Sequence, residues 1–249
     1  MNSELKDIRR KIIEIAYNSQ EGHIASSLSI VEILYSLYKD ILKSDDYFIL
    51  SKGHAALGWY AALNHFGHIS DIELETFCKE NTCLPGHPVR NKLLCISAST
   101  GSLGHGLPMG AGIALGLKAS GRKGKVYVLV GDGEMNEGSS MEAVNLAAYH
   151  ELDNLCCIVD YNGSADRALT THLPGVFSGF GWCITQISGH STYDINYYIS
   201  KEAIPPKIPL AIIARTVKGC GVSFMENNPE WHHKKLNKEQ YELAMEELK

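Results

Sequence analysis

Apolar residues recur at helical spacing along the first forty residues of the chain. Two sets fall near a 3.6-residue period, first Ile8, Ile12, Ile13, Ile15 and Ala16 and then Ile30, Val31, Ile33, Leu34 and Leu37. Gly22 and His23 lie between the sets and mark a break. The pattern predicts two helices, followed by a short apolar run from Tyr47 to Leu50 that ends in a glycine-containing turn. Such a run is typical of a strand that leads into a helix.

Three further apolar runs are predicted to be strands buried on both faces. They are rich in β-branched residues, are bounded by Gly, Asp or Pro, and cover 126–130, 155–159 and 210–214. A helix is predicted between the first two, opening with Ser139 and Glu142 at the spacing of a capping box. This order predicts an α/β fold with a doubly wound parallel sheet and helices on both faces. We expect one domain over residues 1–249, including an amphipathic docking helix at about 237–249.

Composition and charge narrow the class of function. The chain has 249 residues, 45% of them hydrophobic, so it can bury a core without disulfides. Its formal charge is -5 and it has no long basic run, which argues against binding to nucleic acid or anionic lipid. The charged N-terminus lacks a signal-peptide pattern, and no apolar window is long enough to span a membrane. Seven cysteines without paired spacing are typical of free thiols in a reducing cytoplasm.

Two strand ends carry oxygen-bearing side chains. Gly131-Asp132-Gly133 follows the 126–130 strand, and Asn162 follows the next strand thirty residues later. Carboxyl ends of parallel strands meet at one sheet edge, where ligands of open α/β folds bind. A carboxylate and an amide suit Mg²⁺, and exposed backbone N–H groups of a glycine turn suit an anion. The pattern indicates a phosphate-bearing cofactor with its metal; the alternative is a sharp turn without ligand.

Glycine and histidine provide the remaining candidate chemistry. His23, His54, His87 and His105 each follow a glycine, and the first three lie at predicted breaks between elements. Each alone is more often structural, but several at one sheet edge would supply proton donors and phosphate contacts. The six glycines of segment 101–116 let the backbone approach either a neighbouring helix or a ligand.

These residues together resemble the N-terminal, diphosphate-binding half of transketolase. GDG followed about thirty residues later by Asn is similar to the thiamine diphosphate fingerprint. That fingerprint is shared by the whole thiamine diphosphate superfamily, but five further segments resemble the histidine and glycine-rich loops of transketolase in particular. They are EGHIASSLSIVEIL, SKGHA, LPGHP, ASTGSLGHGLPMGAGIALG and TVKGCGVSFMENNPEWHHK. The resemblance extends over nearly the whole chain.

The resemblance implies a role for each matching residue. It implies Mg²⁺ ligation by Asp132, Asn162 and the backbone carbonyl of Ser164, and contacts with thiamine diphosphate by His54, Gly101, Leu103, Gly131, Gly133 and His232. It implies substrate-facing or proton-handling roles for His23, His87 and His232, and a proton relay across a subunit interface for Glu137. The implied reaction transfers a two-carbon ketol unit from a ketose or ketose phosphate to an aldose.

Transketolases continue into a second domain that holds the aminopyrimidine, and this chain ends before it. We therefore expect the first subunit of a split transketolase, active in a heterotetramer that contains two copies of this chain and two of a separately encoded pyrimidine-binding subunit. Alternatives are a fragment of a longer enzyme, a subunit of a deoxyxylulose phosphate synthase or 2-oxo acid dehydrogenase, and a non-catalytic scaffold. His105, His233 and Val89 depart from the family pattern, as does a shortened segment after Asn162. These departures favour an unusual sugar over the pentose phosphates.

Overall fold

The computed structural model describes residues 2–90, 93, 96–164, 172–200 and 206–249. The shortened segment noted after Asn162 includes 165–171, which lie outside the described residues.

A five-stranded sheet, parallel throughout, organises the fold. The strands are β1 (Tyr47–Leu50), β2 (Val126–Gly131), β3 (Leu155–Tyr161), β4 (Cys183–Ser188) and β5 (Leu210–Arg215). Their order in the sheet is β1-β2-β3-β5-β4. All four predicted strands are confirmed, and β4 was not predicted. β4 is an edge strand with only one fully buried residue, so it lacks the continuous apolar run that marks the other four.

Helices cover both faces of this sheet. In the described part of the chain they are α1 (Ser3–Ser19), α2 (Ile24–Leu28), α3 (Val31–Ser36), α4 (Ala56–His65), α5 (Asp71–Leu74), α6 (Gly106–Ala119), α7 (Gly138–Tyr149), α8 (Leu173–Gly179), α9 (Thr192–Ser200) and α10 (Lys238–Glu247). The second predicted helix is divided into α2, α3 and a π-helical turn at Leu37–Ile41. The membrane-span criteria of length and hydropathy are met by none of these described helices.

Alternation along each strand divides the buried residues into two cores. Tyr127 and Leu129 of β2 face the core shared with α1 to α4, whereas Val128 and Val130 face the core shared with α6 and α7. Successive side chains of a strand point to opposite faces, so a strand buried on both sides needs apolar residues at every position. The doubly wound α/β prediction is therefore confirmed.

The predicted start of α7 is wrong in its detail. Glu137, not Ser139, is the residue that precedes the helix, and no side-chain cap is present. The Ser139 hydroxyl instead donates to the carbonyl of Gly104 at 2.8 Å. A tertiary contact with the glycine-rich segment thus replaces the local hydrogen bonds of a capping box.

The last helix lies against the first. α10 begins after Asn237, which forms a capping box with Gln240. The rings of Tyr17 in α1 and Tyr241 in α10 stack with their centroids 4.3 Å apart. That the chain forms a single domain over 1–249 stays a prediction.

Candidate functional site

Asp132 and Asn162 lie side by side at the carboxyl edge of the sheet. In the parallel β2–β3 pair, Gly131 is in register with Asp160, so the chain leaves both strands at the same level. Both side chains line one cavity of about 480 Å³. The predicted convergence of the two strand ends is therefore observed.

The glycine turn after β2 opens its backbone to this cavity. The Asp132 carboxylate accepts a hydrogen bond from the Gly133 N–H at 2.7 Å. A Cβ built at Gly133 would meet no atom within 4 Å, and Gly131, Asp132 and Gly133 all line the cavity. The turn thus leaves room for a ligand against its backbone.

The oxygen of Asn162 faces the short segment that follows it. Asn162 Oδ1 accepts from the Ser164 N–H at 3.1 Å and from the Ser164 hydroxyl. Lys218 Nζ lies 3.3 Å from Ser164 Oγ and 2.9 Å from His232 Nδ1. Ser164, Lys218 and His232 line the same cavity, so this side of the site has cationic and polar groups where an anion would lie.

A buried carboxylate, Asp160, supports the strand ends from below. Its side chain accepts hydrogen bonds from the ammonium group of Lys52, the hydroxyls of Ser29 and Thr216, and the Asn162 amide. Burial by itself would raise the pKa of Asp160, but the charge of Lys52 and these hydrogen bonds keep it below the ordinary value. Asp160 is therefore an ionised, hydrogen-bonded group beneath the cavity floor.

A second buried carboxylate, Glu134, joins the glycine-rich segment to the sheet. It accepts from the N–H groups of Gly104 and Gly131 at 2.9 and 3.2 Å, and from the Ser51 hydroxyl at the end of β1. Burial raises the pKa of Glu134 despite these hydrogen bonds. Its side chain fixes the relative positions of three backbone segments that surround the cavity.

Histidines from distant parts of the sequence gather at the mouth of this site. The His23 ring lies with its centroid 5.2 Å from His54, 5.4 Å from His232 and 6.2 Å from His87. His233 is nearer still, at 4.6 Å. We call these five residues the histidine cluster; of them, His54 and His232 line the cavity.

Four of the five residues in the histidine cluster have pKa values below the ordinary value of histidine. Burial lowers the pKa of His23 to about 4, with further contributions from His233 and His232. Burial and the nearby charge of Lys52 lower the pKa of His54 to about 2. The pKa values of His87 and His232 are lowered by burial as well, and in His232 also by Lys218. Crowded imidazoles and lysines disfavour a further positive charge, so His23, His54, His87 and His232 are neutral near pH 7.

The remaining predicted residues surround the cavity at different distances. Leu103 lines it, whereas Gly101 lies against the His87 ring, which a Cβ at that position would meet at 3.4 Å. Glu137 is exposed before α7 and packs beside Gly104. His23, His87, Gly101 and Glu137 thus surround the cavity without lining it.

Several residues of the site were not predicted from the sequence. Lys52 lies within SKGHA, Lys218 within TVKGCG, and Glu134 directly after GDG, but none differs in sequence from an ordinary surface charge. Asp160 had a usable signal, because residues two apart in a strand share a face. Asn162 directly follows β3, two residues after Asp160, and the Asn162 amide does contact the Asp160 carboxylate.

The donor set fits Mg²⁺ and a diphosphate. No group of three or more His, Cys, Asp or Glu residues with metal-binding geometry occurs among the described residues. A cation held by Asp132 and Asn162 would need further oxygens from backbone, water or ligand, which is the coordination that Mg²⁺ favours. The open glycine backbone and Lys218 suit the phosphate groups that would complete it.

Comparisons with known proteins agree with this site. Residues 2–248 match the family "Transketolase, thiamine diphosphate binding domain". The chain is 42% identical to an apulose-4-phosphate transketolase subunit of Actinobacillus succinogenes, over 100% of this chain and 96% of that protein. It is 33% identical to the 6-deoxy-6-sulfo-D-fructose transketolase subunit of Clostridium sp. strain MSTE9, over 97% of this chain and 93% of that protein.

A solved transketolase structure matches this chain over less than half of its own length. The transketolase of Campylobacter jejuni superposes with a TM-score of 0.86 at 27% identity, over 100% of this chain and 43% of that one. The chain therefore spans nearly the whole length of the subunit relatives but less than half of this transketolase. The resemblance to the N-terminal subunit of split transketolases is confirmed, and the chain belongs to the transketolase thiamine diphosphate-binding domain family.

Proposed function

We propose that this chain is the diphosphate-binding subunit of a two-subunit transketolase that depends on thiamine diphosphate and Mg²⁺. The enzyme transfers a two-carbon ketol unit from a ketose or ketose phosphate to an aldose acceptor. The observation that carries the proposal is the convergence of Asp132, Asn162 and the histidine cluster around one cavity. Bound thiamine diphosphate supplies the carbon nucleophile for breaking and forming the carbon–carbon bond.

In this proposal the cavity floor holds the diphosphate and its metal. Asp132, Asn162 and the backbone carbonyl of Ser164 would hold Mg²⁺, and the backbone of Gly131 and Gly133 would bind the phosphates. His54 and His232 would contact the diphosphate, and Gly101 and Leu103 would contact the cofactor rings. The support for these roles is that every one of these residues except Gly101 lines the cavity.

The histidines above the floor handle the substrate. A neutral imidazole has one donor and one acceptor nitrogen, so His23, His87 and His232 can hold hydroxyl and carbonyl oxygens and move a proton between them. The low pKa values of these rings keep them in that neutral form. Glu137, exposed beside the glycine-rich segment, is available to a proton relay across a subunit contact.

The substrate we propose is an unusual ketose that carries an anionic group. Support comes from the names of two relatives, one acting on apulose 4-phosphate and one on a sulfonated fructose. His233 agrees with this, since it places an additional ring against His23 at the mouth of the site.

A pyrimidine-binding partner subunit, in a heterotetramer of two copies of each chain, would complete the active site. Support comes from the subunit naming of the relatives and from the coverage of under half of a single-chain transketolase. We place the complex in the cytoplasm, in agreement with the free thiols of Cys78, Cys83, Cys156, Cys157, Cys183 and Cys220 in the described part of the chain.

The proposal is tested by co-expressing the chain with the product of the neighbouring open reading frame. Thiamine diphosphate binding to the purified complex is measured by calorimetry with and without Mg²⁺, and turnover is assayed against a set of ketoses and aldoses. We expect Mg²⁺-dependent binding and ketol transfer. A complex that shows neither would be a scaffold, and the proposal would be wrong.

Asp132→Ala and His87→Ala separate the metal site from the substrate site. We expect Asp132→Ala to weaken cofactor binding at least about a hundredfold, because it removes a direct metal ligand. Loss of a residue that only hydrogen-bonds to a metal ligand already lowers metal affinity by about 10–100-fold. His87→Ala serves as the matched control, with unchanged cofactor affinity and lower turnover. Unchanged affinity in Asp132→Ala would contradict the metal assignment.

A further inference from the structure

Asp160 contacts both of the residues to which we assign the metal. Its backbone carbonyl accepts the Asp132 N–H at 3.3 Å, and its Oδ2 accepts Asn162 Nδ2 at 3.0 Å. The side chain of Asp160 is fully buried. One residue beneath the cavity floor therefore holds the positions of both strand ends.

Every polar group around the Asp160 carboxylate is a donor. Ser29 Oγ–H reaches Oδ2 at 2.9 Å, Lys52 Nζ also bonds to Oδ2, and Thr216 Oγ1–H bonds to Oδ1. An ionised carboxylate has only acceptor sites. The Asn162 amide must therefore turn its NH₂ group toward Asp160, since its oxygen would be repelled there.

The opposite end of the same amide faces the ligand side. Asn162 Oδ1 accepts from the Ser164 N–H at 3.1 Å and from the Ser164 hydroxyl, and both residues line the cavity. A hydroxyl can rotate to another acceptor, which frees one lone pair of the amide oxygen for a cation. A cation can bind this oxygen but not the NH₂ group, so the amide orientation decides whether Asn162 is a ligand at all.

We propose that Asp160 is a positioning residue, which orients the Asn162 amide so that Oδ1 faces the divalent cation and Nδ2 faces away. The inference rests on the proposed function, because it concerns the cation of that site. It assigns to Asp160 a role in cation binding beyond its buried ion pair with Lys52.

Asn162→Asp distinguishes orientation from simple support. A carboxylate is ordinarily the better ligand for Mg²⁺ or Mn²⁺, so a site that needs only an oxygen at 162 should bind the cation more tightly in this variant. If Asp160 requires a hydrogen-bond donor at position 162, the variant instead places two carboxylates in contact, and their repulsion should displace the side chain at 162 from the cation. The Lys52–Asp160 pair stays intact, so the variant keeps the buried charges of the wild-type fold.

The probe is Mn²⁺, measured by electron paramagnetic resonance on the co-expressed complex with saturating thiamine diphosphate. We expect Asn162→Asp to weaken Mn²⁺ binding by about tenfold or more, as expected for like charges in contact.

Asn227→Asp is the matched control. Asn227 lines the same cavity, and its backbone N–H donates to the Lys218 carbonyl at 2.8 Å, a contact that the substitution leaves in place. The substitution adds the same negative charge to the cavity, but not next to the Asp160 carboxylate. We therefore expect the Mn²⁺ affinity of this variant to be equal to or above that of wild type.

The outcomes separate this inference from the proposed function. No Mn²⁺ binding by the wild-type complex would contradict the proposed function itself. Wild-type binding with equal or tighter binding in Asn162→Asp would overturn the orienting role, as would an equal loss in Asn227→Asp.

Discussion

His23 illustrates how surroundings set the chemistry of a single residue. Four other imidazoles, two of them at 4.6 and 5.2 Å, and Lys218 surround it. Burial and these neighbours oppose its protonation, so a side chain with an ordinary pKa of about 6.5 stays neutral well into the acidic range.

The low pKa values of His23 and His54 predict acid sensitivity. Below about pH 6.5 the unfolded chain binds protons at these residues that the folded chain does not, so the free energy of unfolding falls as the pH falls. The loss grows down to about pH 4, where folded His23 begins to titrate. Above pH 7 these residues add no pH dependence, because they are neutral in both states.

Urea unfolding at pH 7.5, 6.0 and 5.0 measures this effect. We expect His23→Asn to reduce the loss of stability at pH 5.0 by about 1 kcal/mol, which allows for screening of a half-exposed group. His68→Asn, at an exposed position outside the histidine cluster, is the control variant. Parallel curves for wild type and His23→Asn would contradict the prediction.

At the scale of elements, α6 depends on glycines that bring it close to the sheet. A Cβ at Gly110 would lie 2.3 Å from Val128 Cγ2 in β2, and one at Gly106 would lie 2.2 Å from Ser51 Oγ. The glycine-rich segment thus has the close helix packing that was one of its two predicted roles. Its preceding turn, held by Glu134, reaches the cavity.

Gly110→Ala and Gly112→Ala form a matched pair in this helix. We expect Gly110→Ala to destabilise the protein by about 1–3 kcal/mol, because the added methyl overpacks the contact with β2. A Cβ at Gly112 would have no atom within 4 Å, so Gly112→Ala should stabilise by about 0.5–1 kcal/mol through helix propensity. Chemical denaturation of both variants provides the measurement, and effects of equal sign would contradict the packing argument.

At the scale of the whole molecule, a buried ion pair between α1 and α3 is hydrogen-bonded to the segment that contains Cys220. Arg9 in α1 places Nη2 2.8 Å from both carboxylate oxygens of Glu32 in α3, and its Nε donates to the Cys220 carbonyl at 2.9 Å. His190 adds a contact to Glu32 at 2.9 Å and accepts the Val217 N–H. The loop that carries Lys218 into the site is thereby fixed to the first helices.

Glu32→Gln tests this connection. It leaves the Arg9 charge buried without its carboxylate, and we expect destabilisation of about 3–5 kcal/mol. Glu151→Gln is the control, because Glu151 forms an exposed ion pair with Lys207 and should change stability by less than about 1 kcal/mol. Unfolding midpoints compared at pH 7.5 give the result, and similar small effects in both variants would argue against a structural role for the pair.

The sequence by itself determined the four buried strands and the positions of Asp132 and Asn162. Strands buried on both faces need continuous apolar runs, and residues that end adjacent parallel strands must meet at one edge. Edge strand β4 escaped prediction because its exposed side relaxes that pattern. Only the tertiary structure brought His23, His54, His87, His232 and His233 together and gave Ser139 a partner other than its own helix. Contacts between residues far apart in sequence depend on how the helices and strands pack against one another. The local hydrophobic periodicity predicts each element but not that packing.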